Sequence, residues 1–186
     1  EYFFKNSYSN VIIENSKVKK FKKKSHQLLD QLRVKNRPGL ILFSTGTTGD
    51  PKAILHDFTF FLERFSTPRP SFRTLNFLLF DHIGGINTLF HTLFNNGTIV
   101  ALKKRTVEDV LYTCKKYDVE VLPTTPTFLR MLLISNINEE KFPKSIKIIT
   151  YGTEIMDQTT LDQLCKFLPN VDFRQTYGLS EIGIVR

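Results

Sequence analysis

Apolar and polar positions fall in alternating blocks along this chain. Short runs rich in β-branched and aliphatic residues at 40–43, 74–79, 98–102, 119–122, 146–151 and 171–175 read as strands. Between them, segments near 58–65, 85–94, 107–117, 126–134 and 158–167 read as helices. Repeated strand–helix alternation predicts a three-layer α/β fold, a mostly parallel sheet with helices on both faces. Ligands of such sheets sit at the carboxyl ends of strands, so the chemistry is expected in the loops that follow them.

The segment ahead of the first of these strands follows another pattern. Residues 14–37 carry Lys17, Lys19, Lys20, Lys22, Lys23, Lys24, Arg33, Lys35 and Arg37 against only Glu14 and Asp30. Val18, Phe21, Ser25, Leu28, Leu29 and Leu32 recur there at helical spacing, which predicts an amphipathic helix with a solvated lysine face. Nearly all of the formal net charge of +8 lies in this segment. The remainder is close to neutral, which argues against nucleic acid as the partner of the whole chain. Two parts are therefore expected: a lysine-rich leading segment, 1–37, and an α/β core, 38–186.

Composition narrows the class without naming a reaction. Hydrophobic residues make up 41% and charged residues 24%, as in ordinary globular proteins, and 17 phenylalanines point to aromatic core packing. No apolar run approaches a membrane span, and the first residues lack a signal-peptide pattern, so a cytoplasmic location is expected. Cys114 and Cys165 show no metal-type spacing and read as reduced core thiols. His26, His56 and His91 read as structural, Asp57 as a helix cap and Asp81 as a turn acid.

The stretch with the most chemistry is Ser44-Thr45-Gly46-Thr47-Thr48-Gly49-Asp50-Pro51-Lys52, directly after an apolar strand and ahead of an expected helix. Gly46 and Gly49 permit close backbone approach. Successive N–H groups can form an anion-binding concavity, four hydroxyls add donors and Lys52 adds a full positive charge. That combination suits a polyphosphate. It is not the common P-loop, whose Gly-x-x-x-x-Gly-Lys-[Ser/Thr] spacing is absent.

This loop resembles the phosphate loop of the adenylate-forming superfamily, which includes acyl- and aryl-CoA synthetases, luciferases and peptide-synthetase adenylation domains. Ala53 stands where that pattern usually has glycine. Gln175-Thr176-Tyr177-Gly178-Leu179-Ser180-Glu181 resembles the family's Tyr-Gly-x-Thr-Glu motif, with Ser180 in the threonine position. Phe80-Asp81-His82-Ile83-Gly84-Gly85 resembles its acyl-site segment, residues 123–129 its proline-containing strand-to-helix turn, and Tyr151-Gly152-Thr153-Glu154 its adenine loop.

The resemblance spans about residues 38–186 and carries further implications. Ser44, Thr45, Gly46, Thr47, Thr48, Gly49 and Lys52 would bind the phosphates of ATP. Glu181 would hold Mg²⁺, and Lys52 and Glu181 would be the catalytic pair. Tyr177 would stack on adenine beside Gly152, Thr153 and Glu154. Gly178 would leave room for the acyl carboxylate. For His82, an acyl-pocket role and a simple cap of the following helix are equal readings.

The function expected is ATP-dependent activation of a carboxylic acid as acyl-adenylate, with CoA as acceptor. The alternatives are an adenylation domain that loads a carrier protein, and a non-catalytic nucleotide-binding or structural module. Because the chain stops at Arg186 inside an apolar run, it is expected to be a central piece of a larger enzyme's N-terminal domain, inactive alone.

Overall fold

A computed structural model describes residues 11–14, 17–20, 26–45, 51–135 and 137–184. Contacts divide it into two compact units, 1–64 and 65–186.

In the first unit, β1 (Val11–Glu14) and β2 (Lys17–Lys20) pair antiparallel, with Val11 opposite Lys20. Helix α1 (Gln27–Val34) follows, capped by His26, whose Nδ1 accepts the Leu28 amide at 3.3 Å. The single amphipathic helix expected here is thus confined to its Leu28, Leu29 and Leu32 part. Val18 lies on β2, and Phe21 and Ser25 fall outside the described residues. The β-branched run Val11-Ile12-Ile13 favours extended backbone and supplies Lys17–Lys20 with a pairing strand.

Strand β3 (Gly39–Thr45) pairs antiparallel with β4 (Pro51–Asp57), from Gly39 opposite Asp57 to Thr45 opposite Pro51. The strand at 40–43 is as expected, but a second strand follows the hydroxyl-rich loop where a helix was expected. β3 therefore belongs to a hairpin and not to the parallel sheet. Ile54 and Leu55 are strand formers, and pairing them with Leu42 and Ile41 satisfies both backbones. Helix α2 (Phe58–Glu63) begins only after Asp57, which caps it as expected. Its Oδ1 accepts the Phe60 amide at 3.2 Å, and its Oδ2 pairs with Arg37 at 2.9 Å. Leu32, Leu42 and Phe61 are the buried apolar side chains of this unit among the described residues.

The second unit runs β5 (Arg73–Asn76), α3 (Ile83–Phe94), β6 (Thr98–Ala101), α4 (Val107–Lys116), β7 (Val121–Thr124) and α5 (Pro126–Ile134). After a 3₁₀ turn at Glu139–Lys141 come β8 (Ile148–Tyr151), α6 (Gln158–Phe167), β9 (Asp172–Gln175) and the short β10 (Gly178–Leu179) and β11 (Gly183–Ile184). Strands β5–β9 form one five-stranded sheet in the order β6-β5-β7-β8-β9, parallel throughout. The expected α/β architecture is present.

Leu75, Val100, Leu122 and Ile149 of the sheet pack in one core with Val110 and Cys114 of α4, Leu129 and Leu132 of α5, and Leu164 of α6. Each fully buried leucine contributes about 1.5–3 kcal/mol. Helix α3 packs against β5 and β6. The step from β5 to β6 runs opposite to the later steps, so right-handed crossovers put α3 on the other face of the sheet.

At the amino ends of the strands Glu120 acts as a strap. Its carboxylate accepts the Arg73 amide at 3.0 Å and the Lys147 ammonium at 2.8 Å, tying β5, β7 and β8. Lys147, then the Arg73 amide, hold the Glu120 carboxyl below its ordinary range. The two cysteines differ from expectation in one respect. Cys114 is buried in the core, and burial pushes its thiol up to about 12. Cys165 is exposed on α6, because helical periodicity turns it away from the face that carries Leu164.

Candidate functional site

Strand connections reverse direction between β5 and β7, and in sheets of this kind a ligand is expected at the carboxyl ends of the strands beside such a reversal. After β5 the chain turns through Asp81 into α3. His82 is the N-cap, its Nδ1 accepting the Gly84 amide at 3.0 Å. In a neutral ring this leaves the proton on Nε2. The glycine pair has a packing reason: a Cβ on Gly85 would lie 1.9 Å from the Leu79 carbonyl oxygen, and one on Gly84 2.9 Å from Leu78 Cδ1. The cap reading of His82 is thus observed. After β7, Thr125 caps α5 by accepting the Phe128 amide at 3.2 Å, with Pro126 at the first helical position.

The ends of β8 and β9 bring two of the expected site segments side by side. The Thr176 amide and hydroxyl both donate to the Tyr151 carbonyl, at 2.7 and 3.1 Å. Gly152 follows Tyr151 and Tyr177 follows Thr176, so the Gly152 loop and the exposed Tyr177 leave neighbouring strands at one level. Thr153 has φ 72°, in the left-handed region that a β-branched residue rarely enters. Such strain persists only where surroundings over-determine it, and here they do. Glu154 Oε2 accepts the Thr127 amide at 3.0 Å and its hydroxyl at 2.5 Å at the start of α5. Arg130 of α5 donates to the Ile155 carbonyl at 2.9 Å and pairs with Asp157 at 3.1 Å. Asp157 caps α6, and the Thr160 amide and hydroxyl bring its carboxyl down to about 2.

Beyond Tyr177, β10 and β11 make a small antiparallel hairpin with Leu179 opposite Gly183, whose φ of 79° turns the chain. Glu181 sits exposed at its tip and, among the described residues, forms no ion pair. Gly178 is required by the hairpin itself: a Cβ there would lie 2.6 Å from Ile184 Cδ1 and 2.9 Å from the Gly183 carbonyl.

The phosphate-loop segment belongs to the first unit. Gly46, Thr47, Thr48 and Gly49 lie outside the described residues, as do Val185 and Arg186. Ser44 and Thr45 lie at the end of β3, and Lys52 is exposed on β4 in the register position opposite Ser44. Among the described residues no group of three or more His, Cys, Asp or Glu could hold a metal ion. A Mg²⁺ carried on nucleotide phosphates needs only one or two protein carboxylates with water, and the exposed Glu181 fits that requirement. No helix among the described residues is long and apolar enough to cross a membrane.

Thr176 was not singled out by sequence reasoning, although it lies inside a recognised motif. Its role depends on a hydrogen bond to a residue 25 positions away. Thr153 carries no sequence mark of its backbone conformation.

Comparison with known proteins follows the same lines. The profile of the family described as AMP-binding enzyme matches residues 6–185. The chain is 26% identical to 4-coumarate–CoA ligase-like 6 of Arabidopsis thaliana, over 94% of this chain and 33% of that protein. It is 23% identical to the D-alanine–D-alanyl carrier protein ligase of Bacillus cereus, over 77% of this chain and 30% of that protein. Among solved structures, the luciferase-like enzyme of the nonluminescent mealworm Zophobas morio superposes with a TM-score of 0.67 at 28% identity, covering 78% of this chain and 35% of that one. The chain spans about a third of the length of the first two curated relatives it matches, 33% and 30%.

Proposed function

Since this chain belongs to the AMP-binding enzyme family, we propose that it supplies the nucleotide-binding part of an AMP-forming carboxylic acid:CoA ligase. In the first step a carboxylate oxygen attacks the α-phosphorus of ATP. The bond from that phosphorus to the bridging oxygen breaks, and pyrophosphate leaves. In the second, the thiol of CoA attacks the acyl carbon, AMP departs and the thiol proton passes to solvent.

The barrier of the first step is largely the approach of two anions. Catalysis is then a matter of positioning and of neutralising charge. Ser44, Thr45, Gly46, Thr47, Thr48 and Gly49 would cradle the phosphates, and Lys52 would neutralise the departing pyrophosphate. Glu181 would hold Mg²⁺, which when bound screens the phosphate charges. Tyr177 would stack on adenine against Gly152 and Thr153. Glu154 would act on that loop through its hold on α5. The Nε2–H of His82 would face the acid, Nδ1 being committed to the cap, and Gly178 would border the acyl phosphate.

The observation that carries the reading is the Thr176–Tyr151 pairing, which sets the Gly152 loop beside Tyr177. The likeness to a carrier protein ligase supports a second reading, in which the acceptor thiol belongs to a carrier protein. The test is pyrophosphate exchange into ATP across a panel of carboxylic acids, using the full-length protein. Exchange that depends on the acid is the expected result. A folded protein that exchanges with no acid would refute the reading.

A further inference from the structure

We propose that Thr176 is a positioning residue that sets the width of the adenine slot. This rests on the reading of Gly152, Thr153 and Tyr177 as the adenine site. The Tyr151 carbonyl receives two donors, and both come from Thr176: the amide at 2.7 Å and the hydroxyl at 3.1 Å. The amide bond continues the β8–β9 ladder and any residue but proline would supply it. The hydroxyl bond is particular to threonine or serine. It lies between the last residue before Gly152 and the last residue before Tyr177, so it fixes the spacing of the two segments where they diverge.

The contact is mutual. Gly152 must lack a side chain because the Thr176 carbonyl oxygen and hydroxyl each stand 2.6 Å from where its Cβ would be. On the far side, Glu154 and Arg130 anchor the Gly152 loop to α5, and Thr153 is held at φ 72° between the two attachments. The base-facing loop is therefore clamped at both ends. Thr176 is the clamp next to Tyr177.

Removing the hydroxyl while keeping the shape separates positioning from folding. In the full chain, Thr176→Val should stay folded, with a melting temperature lower by at most a few degrees for the one lost hydrogen bond. It should weaken AMP and ATP binding by calorimetry about two- to tenfold, because the two segments lose their fixed spacing. Tripolyphosphate, which has no base, should bind both forms equally. In turnover, KM for ATP should rise with kcat unchanged, because the lost contact acts on ground state and transition state alike. Thr176→Ser, which keeps the hydroxyl, should restore AMP affinity. Equal AMP binding by parent and Thr176→Val would overturn the proposal. So would equal weakening of AMP and tripolyphosphate, which marks general loosening. If the parent binds no adenine nucleotide, the adenylation reading itself fails and this inference falls with it.

Discussion

A Cβ placed on Gly152 would stand 2.6 Å from the carbonyl oxygen of Thr176. Backbone cannot yield there as a flexible side chain would, since Thr176 is held to Tyr151 at 2.7 Å. Gly152→Ala should therefore destabilise the protein by about 1–3 kcal/mol, the usual cost of overpacking. It should also weaken ATP binding, because relief requires β8 and β9 to part where the base would sit. Thermal melts and ATP calorimetry on one preparation check both effects.

Lys52 and Glu181 are both exposed, and neither supports the core. Lys52→Ala and Glu181→Ala should each leave the melting temperature within a degree or two of the parent, and lower pyrophosphate exchange about a hundredfold or more. The double variant should lose less than the product of the two, since in the proposed mechanism both groups act on one charged transition state. A single variant with unchanged exchange would remove that residue from the assignment.

Acid should expose the cap of α6. The Asp157 carboxyl titrates at about 2 in the folded chain against an ordinary value of 3.8, chiefly through the Thr160 amide and hydroxyl. A depressed folded value means stability that is present above the ordinary carboxylate range and lost as pH falls toward 2. Melting temperature should therefore drop over that window. Asp157→Asn keeps the cap geometry without a titrating carboxyl. It should show a shallower drop over the same window, and an identical slope would contradict the account.

Thiol reactivity should separate the two cysteines. Cys114 is buried with its thiol pushed up to about 12, whereas Cys165 is exposed. A thiol reagent at mild alkaline pH should label Cys165 quickly in the folded protein, and Cys114 only after denaturant is added. Peptide mapping by mass spectrometry reads the order directly.

The helices at Val107–Lys116, Pro126–Ile134 and Gln158–Phe167 were legible in the sequence because apolar residues recur at helical spacing between clear strand runs. The parallel sheet followed from that alternation. The β3–β4 hairpin was not legible. A strand entering a glycine-rich loop has the same local pattern whether a helix or a strand follows, and only the long-range pairing of Leu42 with Ile54 decides. Apolar spacing in the lysine-rich segment misled for the same reason: Val18 fits a helical face in sequence but lies on a strand paired with Val11–Glu14. Within the candidate site, Gly152 and Tyr177 could be read from motifs. The Thr176 hydroxyl bond and the strained Thr153 backbone belong to tertiary structure and leave no local trace.

Isotope transfer tests the central claim most directly. The acid that gives the strongest pyrophosphate exchange is supplied with ¹⁸O in its carboxylate, together with ATP, Mg²⁺ and CoA, to the full-length protein. If the carboxylate attacks the α-phosphorus and the acyl–oxygen bond breaks in the second step, each AMP leaves with one oxygen from the acid. Mass spectrometry should then find AMP heavier by one ¹⁸O, formed in step with the thioester. AMP of unchanged mass, or ADP in its place, would contradict the adenylate route.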